Sequence, residues 1–291
     1  MRVEEHKEPF RWVECPRDSW QAFGQFIPTE VKLAYLGRLI EARFNYLDLT
    51  SFVSAKWVPQ MADADAILQG LPPNQGCEYL AIIANEKGLE RALAATNLNV
   101  VGYPFSLSPT FQLKNTNRSL EDSWPLVAEM VEKTKEKLKL VVYLSMGFGN
   151  PYGDDWSPQG VVEAVGRLRK LGVQEIALAD TYGIASAQTI GSVLKRVVDE
   201  LGSDGIGAHL HSRPEDTLSK VDAVLEAGVG WLEGSLAGIG GCPFAGDDLV
   251  GNLATELVLP HLAGQGIHTG VDLDLLSELA GEAAGLKVRF A

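Results

Sequence analysis

The chain has 291 residues, a length that fits one large domain or two small ones. With 46% hydrophobic and 22% charged residues, it carries enough apolar material to form a packed core, which excludes a disordered protein. Its 25 Lys and Arg residues are outnumbered by 38 Asp and Glu residues, giving a formal net charge of −13. This balance argues against nucleic acid or an anionic membrane as a partner, because phosphate binding requires a concentrated basic surface.

The cysteine content and the N-terminal residues indicate the compartment. Three cysteines are too few, and odd in number, for a disulfide framework, and they fit a reducing environment. Residues 1–8 are polar and acidic, whereas a secretory signal needs a basic residue followed by an apolar stretch. No apolar run approaches the roughly 20 residues that span a bilayer. We therefore expect a soluble cytoplasmic protein without a membrane partner.

Short apolar segments rich in β-forming residues alternate with longer segments of helical period along the whole chain. The pattern predicts eight strands, which are Arg11–Cys15, Asn45–Phe52, Tyr79–Ala84, Asn99–Ser106, Lys139–Met146, Glu175–Thr181, Gly205–His211 and Trp231–Ala237. Eight β/α units in roughly 250 residues match the TIM (β/α)8 barrel in number, order and length. An open doubly wound sheet is the alternative, but the first strand is not followed by the Gly-x-Gly-x-x-Gly turn of its dinucleotide-binding version.

The intervening helices are marked by residues that favour helix ends. The pair Ser157-Pro158 starts the helix that ends at Leu171. Gly202 and Gly228 each directly follow the last residue of a predicted helix. The clearest predicted helices are Ser119–Lys137, Pro158–Leu171, Ser186–Leu201 and Pro214–Ala227.

No linker or repeat divides the chain, so we predict a single domain over residues 1–291. The barrel would occupy about residues 11–266, and a C-terminal helical extension would occupy about residues 267–291. Within that extension, Asp272–Ala284 is the predicted helix.

Two histidines mark a candidate metal site. A TIM barrel places its chemistry at the C-terminal ends of its strands, and His209 and His211 lie there on the seventh strand. Residues two apart on a strand point to one face, so the pair could chelate a cation; the alternative is two hydrogen-bonded core histidines. Asp18, after the first strand, is the natural third ligand. Nitrogen and oxygen ligands with open positions favour Mg²⁺ or Mn²⁺ over a closed zinc site, although zinc also accepts these ligand types.

One cysteine stands in a setting that suggests chemistry. Three of the four residues before Cys242 are glycines, and glycine permits a mobile loop that can approach a ligand closely. A thiol on such a loop could act as an acid, a base or a nucleophile. The alternative is a small apolar side chain filling a turn, which is the role expected for Cys15 and Cys77.

Several segments resemble one known family. They are Ser235–Phe244, which carries the glycine-rich loop, Thr50–Met61 after the second strand, Pro16–Asp18 with Gln21, Asp180-Thr181, His209-x-His211 and Gly251–Glu256. Together they are similar to the 3-hydroxy-3-methylglutaryl-CoA lyase family, a group of metal-dependent TIM-barrel lyases related to Claisen-type synthases. The resemblance covers essentially the whole chain.

The resemblance implies roles for particular residues. Asp18, His209, His211 and Asn252 would hold the divalent cation. Arg17 would stabilise the enolate oxygen that develops on a thioester, and Cys242 would carry a proton to the departing acyl-CoA carbanion. The further catalytic groups that it implies are Asp48, Asp180 and Glu256. The substrate contacts that it implies are Gln21, Ser51, Lys56, Asn115 and Tyr143.

The resemblance implies a carbon–carbon lyase that cleaves a 3-hydroxy-3-methylglutaryl-CoA-like thioester to acetyl-CoA and a 3-oxo acid, in a homodimer or higher homo-oligomer. Coenzyme A brings phosphates into an acidic protein, so a local cationic patch is needed. Lys56, Lys114 and Arg118 are candidates, and the alternative for each is an ordinary surface charge. The alternative functions are a related Claisen condensing enzyme or 2-oxo acid aldolase, and a non-catalytic metal-binding or ligand-binding barrel.

The chain also departs from the family pattern. Ser19-Trp20 stands where the family has Gly-Leu, Asp48 replaces a glutamate, and Met146 and Asn150 replace cysteines. We expect these changes to line the acyl pocket, so that the metal chemistry is kept and the acyl group is the variable part.

Overall fold

Eight parallel strands close into a barrel in chain order, and the last strand pairs with the first. The computed structural model describes residues 9–21, 23–73, 76–241 and 250–291. The strands are β1 (Arg11–Glu14), β2 (Tyr46–Ser51), β3 (Glu78–Ile82), β4 (Val100–Ser106), β5 (Lys139–Ser145), β6 (Glu175–Asp180), β7 (Ile206–Leu210) and β8 (Trp231–Gly234). Each strand begins within one residue of its predicted start, and the closed barrel confirms the TIM fold over the open sheet.

Alternation along the strands divides the buried side chains into two layers. Val13, Val141, Tyr143 and Trp231 belong to a small cluster inside the barrel. Their neighbours along each strand, such as Val142, join the larger core between the barrel and the helices. Both faces of a parallel sheet are covered in this architecture, which explains why the strands read as nearly continuous apolar runs.

Helices surround the barrel at the predicted places. They are α1 (Pro16–Trp20), α2 (Thr29–Glu41), α3 (Ala64–Gly70), α4 (Glu86–Ala94), α5 (Pro109–Thr116), α6 (Leu120–Thr134), α7 (Pro158–Lys170), α8 (Ala187–Leu201), α9 (Thr217–Ala227), α10 (Thr255–Gly264) and α11 (Leu276–Phe290). Ser119, Ser157 and Ser186 cap α6, α7 and α8, each accepting a backbone N–H from the first turn. The segment predicted as one helix from Pro214 starts with a 3-10 turn, and α9 begins at Thr217.

The C-terminal helix lies further along the chain than predicted. Residues 273–275 form a 3-10 turn in which the Asp272 side chain accepts the N–H of Asp274, and α11 continues to Phe290. Phe290 is buried in the outer core, and its carbonyl accepts the N–H of Gln25 at 2.9 Å. This anchoring extends the helix beyond the predicted end at Ala284. Of the helices that the structure describes, none combines the length and the apolar character needed to cross a bilayer.

The N-terminal end of the barrel is closed by packing. The guanidinium of Arg11 donates to both carboxylate oxygens of Glu175 at 2.8 Å and lies over the rings of Tyr46 and Trp231. The candidate site residues lie at the opposite end, as expected for this fold.

Candidate active site

The barrel brings the three predicted metal ligands together. Asp18 lies in α1, which Pro16 begins directly after β1, while His209 lies on β7 and His211 directly follows it. One potential ligand atom from each residue lies within 4.8 Å of those of the other two. The two imidazole centroids are 5.1 Å apart. The His-x-His spacing therefore places both imidazole rings at one point on the rim of the barrel. The Asp18 carboxylate reaches the same point from the helix that follows β1.

Asn252 joins this group through a hydrogen bond and a backbone bridge. Its Nδ2 donates to Asp18 Oδ2 at 2.8 Å and to the Ile239 carbonyl at 3.0 Å. An isolated antiparallel bridge pairs Asn252 with His211. All four residues that the family resemblance assigned to the cation are thus adjacent.

The donor atoms of the group suit a divalent cation. Within the described residues, His211 Nδ1 and Asn252 Oδ1 are buried and have no hydrogen-bond partner, a situation that is rare without an unseen partner. Burial, with the neighbouring His209 adding, lowers the pKa of His211 to about 4, so its imidazole is neutral, as a metal ligand must be. Burial opposes ionisation of Asp18, but the charge of Arg17 outweighs it and lowers the pKa of that carboxyl. Burial also opposes the charged form of His209, but the hydrogen bond and charge of Glu233 raise its pKa. The Asp18 carboxylate and the neutral imidazole of His211 are therefore suited to bind the ion.

Arg17 is held rigidly beside Asp18. Its Nε donates to both oxygens of Asp48 at 3.1 Å, and one Nη also binds Asp48. The other Nη donates to Asp18 Oδ1 at 3.1 Å and to Gln21 Oε1 at 3.0 Å, while Gln21 Nε2 donates to Asp18 Oδ1 at 2.8 Å. Burial opposes the charge of Arg17, but Asp48 and Asp18 raise its pKa, so the guanidinium stays cationic.

Asp48 serves in this arrangement as the acceptor that orients Arg17. Burial raises the pKa of Asp48 to about 6, although Arg17 partly offsets that effect. The shorter side chain, where the family has a glutamate, still reaches the guanidinium. Asp48 is thus placed next to the predicted catalytic arginine, on the side away from the bond between Arg17 and Asp18.

The structure puts Asp180 outside the ligand group. The buried Lys220 of α9 donates to Asp180 Oδ2 at 3.2 Å and to the carbonyl of His211 at 2.9 Å, and Ala185 N donates to the same carboxylate at 3.2 Å. Asp180 is the last residue of β6. It lies two residues after Leu178, whose side chain faces the outer core, so the Asp180 side chain lies on the same outward face of the strand. Asp180 is therefore linked to the backbone of His211 through Lys220.

Glu256 supports the turn that precedes the glycine-rich loop. Its Oε2 accepts the N–H of Ala237 at 2.9 Å, and Ala237 has a φ of 59°. The carboxylate thus stabilises a backbone conformation that non-glycine residues rarely adopt.

The predicted substrate contacts are distributed over a wider area. Tyr143 is buried inside the barrel, and Ser51 is buried at the end of β2. Asn115 is half-buried on α5, and Lys56 is exposed, with its Nζ 5.6 Å from the ring centroid of Trp57. Gln21, which donates to Asp18, and Tyr143, whose ring packs on His209, are therefore the predicted substrate contacts that the structure brings to the ligand group.

The two other candidate cations for coenzyme A have partners. Arg118 forms an ion pair with Glu86 at 2.9 Å, and Lys114 lies 4.5 Å from the ring centroid of Tyr152. The paired Arg118 is the weaker candidate, because its charge is already offset.

Cys242 lies outside the described residues, but the base of its loop is described. Gly240 has a φ of 141°, and a Cβ at this position would lie 2.1 Å from Asn252 Nδ2 and 2.7 Å from Asp18 Oδ2. The Ile239 carbonyl accepts from Ser19 Oγ at 2.9 Å, as well as from Asn252 and from the Ser235 hydroxyl. Gly240, at the base of the glycine-rich loop, therefore lies close to two of the candidate metal ligands.

Two buried glutamates near the site were not assigned a role from the sequence. Glu233 of β8 accepts from His209 Nδ1 at 2.7 Å and from the Tyr143 hydroxyl at 2.9 Å. Glu14 of β1 accepts from Leu236 N at 2.7 Å and also from Thr255 and Trp12. The sequence indicates which face of the strand each glutamate occupies; Glu233, for example, shares a face with Trp231. Their hydrogen-bond partners depend on the register between neighbouring strands, which the sequence does not show.

Burial determines the protonation of Glu14. It raises the pKa of that carboxyl to about 8, although the hydrogen bonds from Thr255, Leu236 and Trp12 act in the opposite direction. The residue holds β1 against the turn at Leu236, below the glycine-rich loop.

Two of the departures from the family pattern make contacts within the fold. Trp20 packs edge-to-face on Tyr35 of α2, with centroids 6.1 Å apart, in the outer core. Asn150 closes its own loop, accepting the N–H groups of Tyr152 and Asp154 and donating to the Asp154 carbonyl at 2.9 Å, as asparagine side chains readily do with nearby backbone. The expectation that these changes line the acyl pocket stays a prediction.

Comparison with known proteins agrees with the geometry. The sequence model of the HMGL-like family matches residues 10–281. The chain belongs to the HMGL-like family. It is 36% identical over 259 residues to the zebrafish protein (Danio rerio) named 3-hydroxy-3-methylglutaryl-CoA lyase, cytoplasmic, covering 89% of this chain and 77% of that protein. It is also 36% identical over 266 residues to the mouse protein (Mus musculus) named hydroxymethylglutaryl-CoA lyase, mitochondrial, covering 90% and 81%.

Solved structures of HMG-CoA lyases share the fold. The Brucella melitensis enzyme aligns with a TM-score of 0.89 at 30% identity, over 97% of this chain and 100% of that chain. An Acinetobacter baumannii HMG-CoA lyase, described in complex with coenzyme A and 3-methylmalate, aligns with a TM-score of 0.90 at 30% identity, over 96% and 92%. The HMGL-like members with this fold thus include carbon–carbon lyases.

Proposed function

We propose that this protein is a divalent-cation-dependent carbon–carbon lyase that cleaves 3-hydroxy-3-methylglutaryl-CoA, or a close analogue, to acetyl-CoA and a 3-oxo acid such as acetoacetate. The observation that carries the proposal is the grouping of Asp18, His209 and His211 within 4.8 Å, beside the buried Arg17. The names of the two vertebrate relatives support the substrate class.

Asp18, His209, His211 and Asn252 would hold the cation. Their mixed oxygen and nitrogen donors favour Mg²⁺ or Mn²⁺ over zinc. When bound, such an ion would act as a Lewis acid and lower the pKa of a substrate hydroxyl. The buried donor atoms of His211 and Asn252 that lack partners support this assignment.

Arg17 is suited to stabilise the enolate. The 3-hydroxyl first loses its proton to a base; cleavage of the C2–C3 bond then turns the hydroxyl carbon into a ketone, and the electron pair of the broken bond delocalises onto the thioester oxygen. The proton later added to the enolate carbon balances the one that the hydroxyl lost. Of the five N–H groups of a guanidinium, four are used by Asp48, Asp18 and Gln21 within the described residues, which leaves one for that oxygen. A fixed donor of this kind stabilises developing charge without reorganisation.

The enolate must then be protonated at carbon to give acetyl-CoA. Cys242, on the loop whose base touches Asp18 and Asn252 at Gly240, is the proposed proton donor. A loop over the site would also exclude water from the carbanion.

The wider assignments are also proposals. We propose a single-domain chain in the cytoplasm, acting as a homodimer or higher homo-oligomer, with Lys56 beside the exposed Trp57 as a contact for the coenzyme A portion. Sedimentation velocity tests the oligomeric state, and a monomer at micromolar concentration would contradict it.

A panel of thioesters tests the substrate. Purified protein with Mg²⁺ or Mn²⁺ should release acetyl-CoA from 3-hydroxy-3-methylglutaryl-CoA or from a 3-hydroxy-dicarboxylyl analogue, and Asp18→Asn should abolish the release. The family resemblance implies that the hydroxyl and the carboxylate of the substrate would both bind the ion, so 3-hydroxybutyryl-CoA, which lacks the carboxylate, should not react. Cleavage of a 4-hydroxy-2-oxo acid without coenzyme A, or of none of these compounds, would instead favour an aldolase or a non-catalytic barrel.

A further inference from the structure

Glu233 contacts a metal ligand from inside the barrel. It lies on β8 directly opposite His209 of β7 in the strand register, and the preceding inward-facing residue, Trp231, fills the barrel interior. Glu233 is 1% exposed, so its carboxylate is removed from solvent. The position of this carboxylate is therefore set by two neighbouring strands rather than by a loop.

Both carboxylate oxygens of Glu233 have partners. Oε2 is 2.7 Å from His209 Nδ1, and Oε1 accepts the hydroxyl of Tyr143 at 2.9 Å. The Tyr143 ring also packs edge-on to the His209 ring, with centroids 5.9 Å apart. The imidazole of His209 is thus held by a hydrogen bond to Glu233 and by an aromatic contact with Tyr143. The same Glu233 carboxylate also holds Tyr143 in place.

This arrangement selects a tautomer of His209. A carboxylate only accepts hydrogen bonds, so the proton of a neutral imidazole resides on Nδ1. The lone pair is then on Nε2, and Asp18 and His211 are the other candidate ligands near the ring. Metal-binding histidines commonly have an outer carboxylate partner of this kind, and its loss typically weakens metal binding 10- to 100-fold.

The charge around Glu233 points in the same direction. Within the described part of the chain, the ion-pair partner of Glu233 is His209 itself, at 2.7 Å. A buried carboxylate is unfavourable unless a positive charge lies beside it. A divalent ion on His209 would place such a charge next to Glu233 through the imidazole.

We propose that Glu233 is a positioning residue for the divalent cation: with Tyr143 holding its other oxygen, it orients His209 and keeps Nε2 free to bind the ion. The inference rests on the proposed metal-dependent function. It assigns to Glu233 no direct contact with substrate.

Manganese binding to metal-free protein, followed by the electron paramagnetic resonance signal of free Mn²⁺, tests this role without using activity. Glu233→Gln keeps the size and one acceptor but removes the charge, and it should raise the Kd for Mn²⁺ about 10-fold or more. Tyr143→Phe should raise it less. Glu175→Gln removes a carboxylate charge at the opposite end of the barrel and should leave the Kd unchanged.

A Kd for Glu233→Gln within twofold of the wild-type value would overturn the proposal, as would a wild-type protein that binds no Mn²⁺. If wild-type protein binds Mn²⁺ and Glu233→Gln weakens it, yet no thioester is cleaved, the positioning role stands and the proposed lyase function fails.

A second measurement needs no variant of Glu233. Long-range ¹⁵N–¹H spectra of the metal-free wild type should show a proton on His209 Nδ1, assigned by comparison with His209→Gln. An Nδ1 that carries no proton would overturn the proposal.

Discussion

Substitution of Gly240 by alanine tests how closely the glycine-rich loop approaches the metal ligands. The added Cβ would lie 2.1 Å from Asn252 Nδ2 and 2.7 Å from Asp18 Oδ2. Ordinary van der Waals contact begins at about 3.4 Å, so the Asn252 amide must move by more than about 1 Å or the loop must lift. The φ of 141° adds backbone strain of about 1–3 kcal/mol.

Both responses separate groups that the proposed reaction needs together. A displacement of about 1 Å in an active site can reduce the rate about 100-fold. We therefore expect Gly240→Ala to lower kcat/KM for the thioester about 100-fold and to weaken Mn²⁺ binding. The assays are acetyl-CoA release and the manganese titration, both performed on the full chain.

Gly264→Ala is the matched control. This glycine ends α10, and a Cβ added to it would have no atom within 4 Å, so activity and Mn²⁺ affinity should match the wild type. Values for Gly240→Ala within threefold of the wild type would refute the close packing of this loop on the ligands.

Three further predictions concern residues around the site. Since burial holds the pKa of Glu14 at about 8, against 4.5 ordinarily, the folded state takes up a proton between these values and stability from this group falls as pH rises from about 5 to 8. The melting temperature of Glu14→Gln should decline less over this range than that of the wild type, and parallel declines would contradict the assignment. Lys220→Met leaves the buried Asp180 carboxylate unpaired and should lower the free energy of unfolding by about 3 kcal/mol. Adding Asp180→Asn should restore part of that loss in denaturant titrations; no recovery would rule out the ion pair as the cause. Cys242→Ala should lower kcat at least about 100-fold with Mn²⁺ affinity unchanged, and retention of full activity would exclude the thiol as the proton donor.

The strands and the candidate ligand pair His209 and His211 could be predicted because both depend on local periodicity, whereas Asn252 was assigned from the family resemblance. Alternation along a strand fixes which side chains share a face, so the sequence alone predicts that the side chains of His209 and His211 lie next to each other. Barrel closure then brings Asp18 to them, since β1 lies beside β8. These are consequences of spacing and of strand order.

Contacts that depend on cross-strand register or on packing volume could not be predicted. The bond between Glu233 and His209 requires that the two residues be opposite each other across β7 and β8. Lys220 approaches Asp180 from a helix 40 positions further along the chain. Trp20 was expected to line the acyl pocket because it departs from the family pattern, and its packing on Tyr35 depends on contacts with α2 that the sequence does not show.

The most direct test of the central claim is product analysis with isotopically labelled substrate. Metal-free protein mixed with ¹³C-labelled 3-hydroxy-3-methylglutaryl-CoA should be inactive, and addition of Mg²⁺ or Mn²⁺ should yield acetyl-CoA and acetoacetate in equal amounts by ¹³C NMR. Asp18→Asn should yield neither product under the same conditions. Equal conversion with and without the ion, or no conversion by the metal-loaded wild type, would contradict a metal-dependent lyase acting at Asp18, His209 and His211.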